Sequence, residues 1–300
     1  MVCPVPLYRR RIGYCVVADL IYDRKRGEII EDRVYDPKTT AFLYHTPLGG
    51  LVLLGIRQRW FGKVYGLFQK TRRSKKKIAG FAKEYGIEAG DLNRYCSFND
   101  FITRKEERTI EGEGLVAPAD SFLTVLSICG GRLIEVKGKT YTVAKLLKDK
   151  GLAAEYEGGL ALVFRLAVYD YHRYCFPDSG RVVWEKTVGG VLDSVNHRAT
   201  GKFSLCGNRR KVSLLETKDF GEVVFVEVGA MLVGRIVATH TAQTFQKGDE
   251  KGYFEFGGST LVVLLKKGTA AIDGDIAEHC GRGLETRVKY GEKIGEKMGG

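Results

Sequence analysis

Histidine, tryptophan, methionine and proline are scarce in this chain of 300 residues: five, two, three and six respectively. With so few histidines, the side chains suited to proton transfer near neutral pH can be weighed one at a time. The seven cysteines (Cys3, Cys15, Cys96, Cys129, Cys175, Cys206 and Cys280) are odd in number and include no C-x-x-C pair. That spacing argues against a disulfide framework and against a structural zinc site. No uncharged apolar run approaches the ~18 residues that a bilayer-spanning helix requires. The opening MVCPVPLYRRR also lacks the apolar core of a signal peptide. A protein of the reducing cytosol, with no transmembrane span and no metal, is therefore expected. No internal repeat or low-complexity stretch is present. A faint phosphate loop at Gly55 and Gly62-Lys63 fails on spacing, and Val64 stands where Ser or Thr is required.

Glycine and positive charge are plentiful. Thirty-eight glycines with 44% hydrophobic residues describe a turn-rich, mostly β chain able to bury a core of ordinary size. The net charge is +12, and it is uneven. Residues 1–90 hold 18 Lys/Arg against 8 Asp/Glu, so ten of the twelve excess charges sit in the first third. A basic patch of this kind faces phosphates, of nucleic acid or of anionic lipid.

Residues 1–45 read as short strands and turns. From Pro47 the pattern becomes helical, with Leu53, Ile56, Trp60, Val64 and Leu67 or Phe68 recurring at spacings of three and four. A second helix is expected over Lys75 to Tyr85, with Ser74 as N-cap and Gly86 as the stop. Trp60 and Phe61 with the cluster Arg72, Arg73, Lys75, Lys76 and Lys77 suit an anionic membrane surface. The competing reading is a core-packed helix with a solvated basic face. Nucleic acid is disfavoured, because the aromatics lie on the apolar stripe and no binding signature appears. From about residue 96 the texture is β, with buried-strand runs at Leu160 to Val168, Val223 to Val228 and Leu261 to Leu265. The fold class is therefore α+β: a basic N-terminal region over 1–95, with amphipathic helices at about 47–85, and a dominant β-rich domain over 96–300.

Among His45, His172, His197, His240 and His279, only His172 has dense polar and aromatic neighbours, in YDYHRYCFPDSG. A histidine there either does chemistry or satisfies hydrogen bonds at a strand end. Asp120 ends APAD, after a proline-constrained turn; alone, that is a common turn. The segment GYFEFGGSTLVVLL is stranger. Gly257 and Gly258 interrupt a strand-like run just before Ser259 and Thr260, although paired glycines weaken a strand. The usual reason to keep them is a bend or a close approach of backbone.

Six blocks, FNDFITR (98–104), APAD (117–120), DYHRYCFP (170–177), SVN (194–196), FGEVVFVEVGAMLVGRI (220–236) and KGDEKGYFEFGGST (247–260), occur in one order. That order and spacing resemble the phosphatidylserine decarboxylase family in its shorter bacterial form, over nearly the whole chain from about residue 40. The resemblance implies self-cleavage between Gly258 and Ser259 into a β chain, 1–258, and an α chain, 259–300, whose strands interleave. Attack by an activated Ser259 hydroxyl on the Gly258 carbonyl gives an ester, and β-elimination with loss of ammonia then leaves a pyruvoyl group. The glycines permit the backbone geometry of that attack. The covalent pyruvate, flanked by Gly257 and Thr260, would take up the substrate amine and accept the electrons released with carbon dioxide. By resemblance the substrate is phosphatidylserine, at the cytoplasmic face of a membrane, with a homodimer as a further expectation. A pyruvoyl decarboxylase of a soluble amino acid and a non-processing lipid-binding relative are the alternatives.

The family's cleavage relay of Ser, His and Asp matches at Ser259 and Asp120. Its histidine, however, normally occupies the position of Cys175. Either His172 takes the role of base, or Cys175 does so with a perturbed pKa, or processing is slow. A thiol near its reference pKa is mostly protonated at neutral pH, and burial raises that pKa further. His172, oriented by Asp120, is the favoured base. A second departure is Ser121, where the family usually has glycine after the PAD residues.

Overall fold

A computed structural model describes residues 20–32, 42–43, 46–56, 59–136, 139–190, 205–229, 235–255 and 259–299. Gly257, Gly258, the SVN block at 194–196, His45, His197, Cys3 and Cys15 lie outside the described residues. So do the side chains of Trp60 and Phe61.

The described chain opens on a hairpin of β1 (Leu20–Asp23) and β2 (Glu28–Glu31). Helices α1 (Pro47–Ile56) and α2 (Arg59–Gln69), a 3-10 turn over Arg72–Lys77, α3 (Ile78–Tyr85) and the short α4 (Phe98–Ile102) follow. Next come β3 (Leu115–Val116), β4 (Ser121–Ser127), β5 (Arg132–Val136), β6 (Lys139–Thr142) and the small helices α5 (Val143–Leu147) and α6 (Lys150–Ala154). Then the chain is β throughout: β7 (Leu160–Leu166), β8 (Arg173–Cys175), β9 (Gly180–Val188), β10 (Arg210–Thr217), β11 (Gly221–Gly229), β12 (Ile236–Ala238), β13 (Thr244–Phe245) and β14 (Glu250–Phe254). The last stretch contributes β15 (Ser259–Leu265), β16 (Ala270–Ile272), α7 (Gly274–Gly281), β17 (Glu285–Val288) and β18 (Lys293–Lys297). Strand outweighs helix, 38% against 24%, so the molecule is α+β with a dominant sheet.

That sheet has ten strands in the order β13-β9-β10-β11-β15-β7-β4-β17-β1-β2. Strands from 259–299 lie among strands from earlier in the chain. β15 pairs antiparallel with β11 on one side and β7 on the other, and β17 sits between β4 and β1. All seven residues of β15 are buried, which explains why Leu261 to Leu265 is a continuous apolar run: both faces of the strand are covered. Leu261, Val263 and Leu265 meet Tyr174, Phe176 and Phe254 of the small sheet β12-β14-β8. Val262 and Leu264 meet Val143, Leu146 and Leu147 of α5. Each such side chain contributes about 1.5–3 kcal/mol.

Several local readings shift. β7 ends at Leu166, short of Val168, because Ala167–Asp170 turns back on itself: the Asp170 N–H donates to the Ala167 carbonyl at 3.1 Å. Ser74 is no N-cap. It is buried inside the 3-10 turn, where its hydroxyl reaches the Gln69 and Thr71 carbonyls and accepts the Phe98 N–H at 2.9 Å, tying this segment to α4. The N-cap of α3 falls at Lys77, and Gly86 closes that helix in the left-handed region at φ 65°. α3 packs into its own cluster with Phe98, Phe101 and Ile102. Of the preceding apolar stripe, Val64, Leu67 and Phe68 are 58%, 66% and 43% exposed, while the side chains of Leu53, Ile56 and Trp60 lie outside the described residues; Leu48 and Leu51 of α1 are open as well, at 62% and 66%. No helix among the described residues is long and apolar enough to cross a membrane.

Buried charge ties the C-terminal strands to the rest. Arg165 of β7, 6% exposed, binds Asp32 at 2.8 Å and Glu285 of β17 at 2.5 Å. Arg24 binds Asp273, Asp275 and Glu292 at 2.6, 2.7 and 3.0 Å. Removing one member of a buried ion cluster leaves uncompensated charge, at a cost of about 3–5 kcal/mol. Arg165→Met, which strands two carboxylates, is therefore expected to lower unfolding stability by that order. Urea denaturation against the parent checks it, and a change within experimental error would contradict it.

Candidate active site

The strand register brings the predicted residues to one end of the large sheet. Ser259, the first residue of β15, stands opposite Gly229 at the end of β11 and Leu166 at the end of β7. One row further in, Arg165 faces Phe122 of β4, which in turn faces Arg287 of β17. Asp120 immediately precedes β4, and His172 follows the turn that leaves β7. Three strand ends thus converge there.

Ser259 is fully buried, and its Oγ makes no hydrogen bond. An unpaired buried hydroxyl is costly, at about 1–3 kcal/mol. Because side chains alternate along a strand, Ser259 shares the face of Leu261 and Val263, beneath the small sheet. Thr260 takes the opposite face, beside Arg165, and its Oγ1 is likewise buried without a partner. Ser259 follows directly on Gly257-Gly258, which lie outside the described residues.

Asp120 is nearly buried and closely held. Its Oδ1 accepts the Tyr290 N–H at 2.9 Å and its Oδ2 the Lys289 ammonium at 3.2 Å, with the Arg108 guanidinium at 3.7 Å. Burial alone would raise the pKa of this carboxyl, but Lys289, Arg108 and the Tyr290 N–H outweigh it and hold Asp120 below the ordinary carboxylate value. Ser121, at the family's glycine position, is buried and donates to the Ala119 carbonyl at 3.0 Å, closing the loop that carries Asp120.

His172 is fully buried. Its Nδ1 lies 2.8 Å from the main-chain carbonyl of Asp170, and its own carbonyl accepts the Phe254 N–H at 3.0 Å. The ring is thus oriented at Nδ1 by the Asp170 carbonyl, while Asp120 is occupied by Lys289 and Tyr290. The Ser259 hydroxyl bonds to neither residue.

Cys175 belongs to the Asp120 cluster. Its N–H donates to the Pro118 carbonyl at 2.9 Å, and its thiol meets the Tyr290 hydroxyl, which donates to the Gly248 carbonyl at 3.1 Å. Tyr290 therefore joins the APAD, DYHRYCFP and KGD segments. Burial pushes the Cys175 thiol up to about 12, so it is neutral at physiological pH and unsuited to act as a base.

Sequence reasoning missed Tyr290, Lys289 and Arg108, which no motif flags. It also missed a buried network on the Ser259 face: Glu227, opposite Leu261, accepts from Tyr174 Oη at 2.8 Å and from Lys251 Nζ at 3.2 Å. A cavity of about 400 Å³ borders that network, lined in part by Glu185, Lys211, His240 and Lys251. None of Ser259, Asp120, His172 and Cys175 lines it. At the other side Lys70, just past α2, binds Glu255 at 2.7 Å, which ties the helical front end to the residue before Phe256-Gly257-Gly258. Among the described residues no cluster of His, Cys, Asp or Glu is arranged to hold a metal.

A hidden, unpaired serine at the head of a central strand, with a fixed histidine and a held carboxylate at the same sheet end, is the layout of an enzyme site. Comparison with known proteins identifies the kind. The sequence profile described as phosphatidylserine decarboxylase matches residues 98–296. The chain is 42% identical over 285 residues to phosphatidylserine decarboxylase proenzyme 2 of Clostridium acetobutylicum, covering 92% of this chain and 98% of the relative. It is 38% identical over 291 residues to the phosphatidylserine decarboxylase proenzyme of Clostridium perfringens, covering 92% and 99%. The proenzyme of Ruminiclostridium cellulolyticum is 37% identical over 290 residues, covering 92% and 96%. The chain belongs to the phosphatidylserine decarboxylase family, a family of decarboxylases. These three relatives carry that one activity in their names, and none is a soluble amino-acid decarboxylase or a non-enzymatic lipid binder.

Two outcomes follow from the site's electrostatics. A disulfide reagent such as 5,5′-dithiobis(2-nitrobenzoate) at pH 8, with mapping by mass spectrometry, should modify exposed Cys96 and leave Cys175 intact until the protein unfolds. The carboxyl of Asp120, depressed in the fold, contributes stability that is fully present above its unfolded pKa of about 3.9 and is lost as pH falls below it. Asp120→Asn should therefore cost about 1.5–3 kcal/mol at pH 7 and progressively less toward pH 3. A cost that does not depend on pH would contradict this assignment.

Proposed function

We propose that this chain is a proenzyme that cuts itself between Gly258 and Ser259 and then decarboxylates phosphatidylserine to phosphatidylethanolamine. The carrying observation is the fully buried Ser259 hydroxyl without a hydrogen bond, at the sheet end that also holds Asp120 and His172. Family membership supports it, and the relatives' description as proenzymes agrees with processing.

In this reading Ser259 Oγ attacks the Gly258 carbonyl carbon while His172 accepts the hydroxyl proton. The C–N bond breaks, the nitrogen takes a proton, and an ester joins Gly258 to Ser259. Removal of the Ser259 α-proton then expels the Gly258 carboxylate, which frees 1–258. One water enters and one ammonia leaves, so that residue 259 ends as a pyruvoyl group. The site fits that group: Ser259 heads a strand buried along its whole length, so the carbonyl that replaces its α-nitrogen would form at a buried strand end. When present, the pyruvoyl carbonyl supplies the electron sink for carbon dioxide loss. Asp120 is kept ionised by Lys289, Arg108 and the Tyr290 N–H, and the Asp170 carbonyl orients His172. Cys175 stays a neutral thiol that fixes Tyr290, and through it the Asp120 loop. The small-sheet cover over Ser259 excludes water from the reacting atoms.

The front end, residues 1–95 in this division, serves the lipid substrate. Leu48, Leu51, Val64 and Leu67 are open to solvent, and Arg72, Arg73, Lys76 and Lys77 are exposed beside them. An apolar face edged with cations suits an anionic bilayer surface. The Lys70–Glu255 ion pair sets that surface next to the cleavage segment.

Intact mass under denaturing conditions tests the central reading. Two species are expected, split after Gly258, with the smaller lighter by one ammonia than a peptide beginning with serine; Ser259→Ala should give one. A Ser259→Ala protein that still splits there would sink the mechanism. Flotation with vesicles containing anionic lipid should carry the protein, and Arg72→Glu/Lys76→Glu should reduce that binding at least tenfold. Flotation unaffected by those changes would remove the docking role.

A further inference from the structure

The ring of His172 is controlled from the C-terminal stretch of the chain. Where β7 turns, the Asp170 carboxylate is fastened at both oxygens. Its Oδ2 accepts the Ala167 N–H at 2.7 Å, and its Oδ1 accepts from Arg287 Nη2 at 2.6 Å. A carboxylate fixed this way also fixes its own main chain, which presents the Asp170 carbonyl to His172 Nδ1 at 2.8 Å. A carbonyl oxygen can only accept, so Nδ1 carries a proton, and in the neutral ring Nε2 carries the lone pair. Arg287 is itself immobilised, because it lies on β17 between β4 and β1 and its guanidinium covers the ring of Phe122 at 4.7 Å. Its bond to Asp170 is charge-assisted and largely shielded from solvent, which makes it one of the stronger contacts available to a side chain.

We propose that Arg287 is a positioning residue for the chemistry of His172: through Asp170 it holds the Nδ1-protonated tautomer and so leaves Nε2 as the base. The inference rests on the reading of His172 as the base. It adds that a residue of the downstream fragment, 259–300, sets the protonation state of a histidine in the upstream one.

The test combines a rate with a spectroscopic signature. Self-cleavage is timed on denaturing gels for Arg287→Met alone and in a His172→Ala background. Long-range proton–nitrogen NMR of histidine-labelled, unprocessed Ser259→Ala protein reads the His172 tautomer with and without Arg287→Met. Arg287→Met is expected to slow cleavage on the order of tenfold to a hundredfold, as a small misplacement of a reacting group does. In the His172→Ala background it should add nothing, since the path runs through that ring. The NMR should show a single Nδ1-protonated form giving way to a mixture. Equal slowing in both backgrounds, or an unchanged tautomer, overturns the proposal. If Arg287→Met does not fold, Asp170→Asn carries the same measurements, since it keeps an acceptor for Ala167 and removes the charge that Arg287 pairs with. If His172→Ala cleaves at the parent rate, the base assignment fails, while the NMR still decides whether Arg287 governs the ring.

Discussion

The hydrogen bonding of β15 to β11 and β7 is the constraint on which the rest depends. It places Ser259 at a fixed height in the middle of a ten-stranded sheet, level with Gly229 and Leu166. A one-residue slip would turn the serine to the other face and push Leu261 and Val263 out of their cluster with the small sheet. The core therefore enforces the position of the Ser259 hydroxyl, and no local contact of Oγ is needed. Glycine at 229 suits the opposite position, since a side chain there would project on the same face, beside the hydroxyl.

Around that fixed point the polar groups sort into held and unheld. Asp120, Asp170 and the Glu227–Lys251 pair are buried, and Arg287 half-buried, but all are compensated by charge partners or main-chain donors. Ser259 and Thr260 are buried and uncompensated. They share that state with atoms of Gln69, Arg108, Asp178 and Thr286, so the missing bond gains its meaning from where Ser259 stands in the sheet.

Much of this was legible in the sequence, for identifiable reasons. The run Leu261 to Leu265 announced a strand buried on both faces, because only a central strand tolerates no polar alternation. The adjacent glycines drew the eye to Ser259, although they themselves lie outside the described residues. The order of six blocks announced the family. What could not be read were contacts between residues far apart in the chain: Arg287 on Asp170, Tyr290 on Asp120 and Cys175, and Lys70 on Glu255. Each depends on sheet order, and neither composition nor spacing encodes that β17 lies beside β4. Ser74 failed for a related reason: its capping hydroxyl was recruited by Phe98, a partner 24 residues away. Over α1 and α2 periodicity marked an apolar face without saying what covers it.

Interleaving has a consequence for the life of the molecule. An uncut chain reaches this sheet by intramolecular folding, with β15 tethered to the partners it must join. Under the proposed cut before Ser259, the same assembly would require two separate polypeptides to meet. The longer would arrive with a vacant slot between β11 and β7, and open strand edges of that kind invite aggregation. Recovery from unfolding then becomes concentration-dependent and competes with misassociation. Under that proposal the architecture would make maturation a one-way commitment: after the cut, persistence would rest on slow unfolding, with no easy route back to the native sheet.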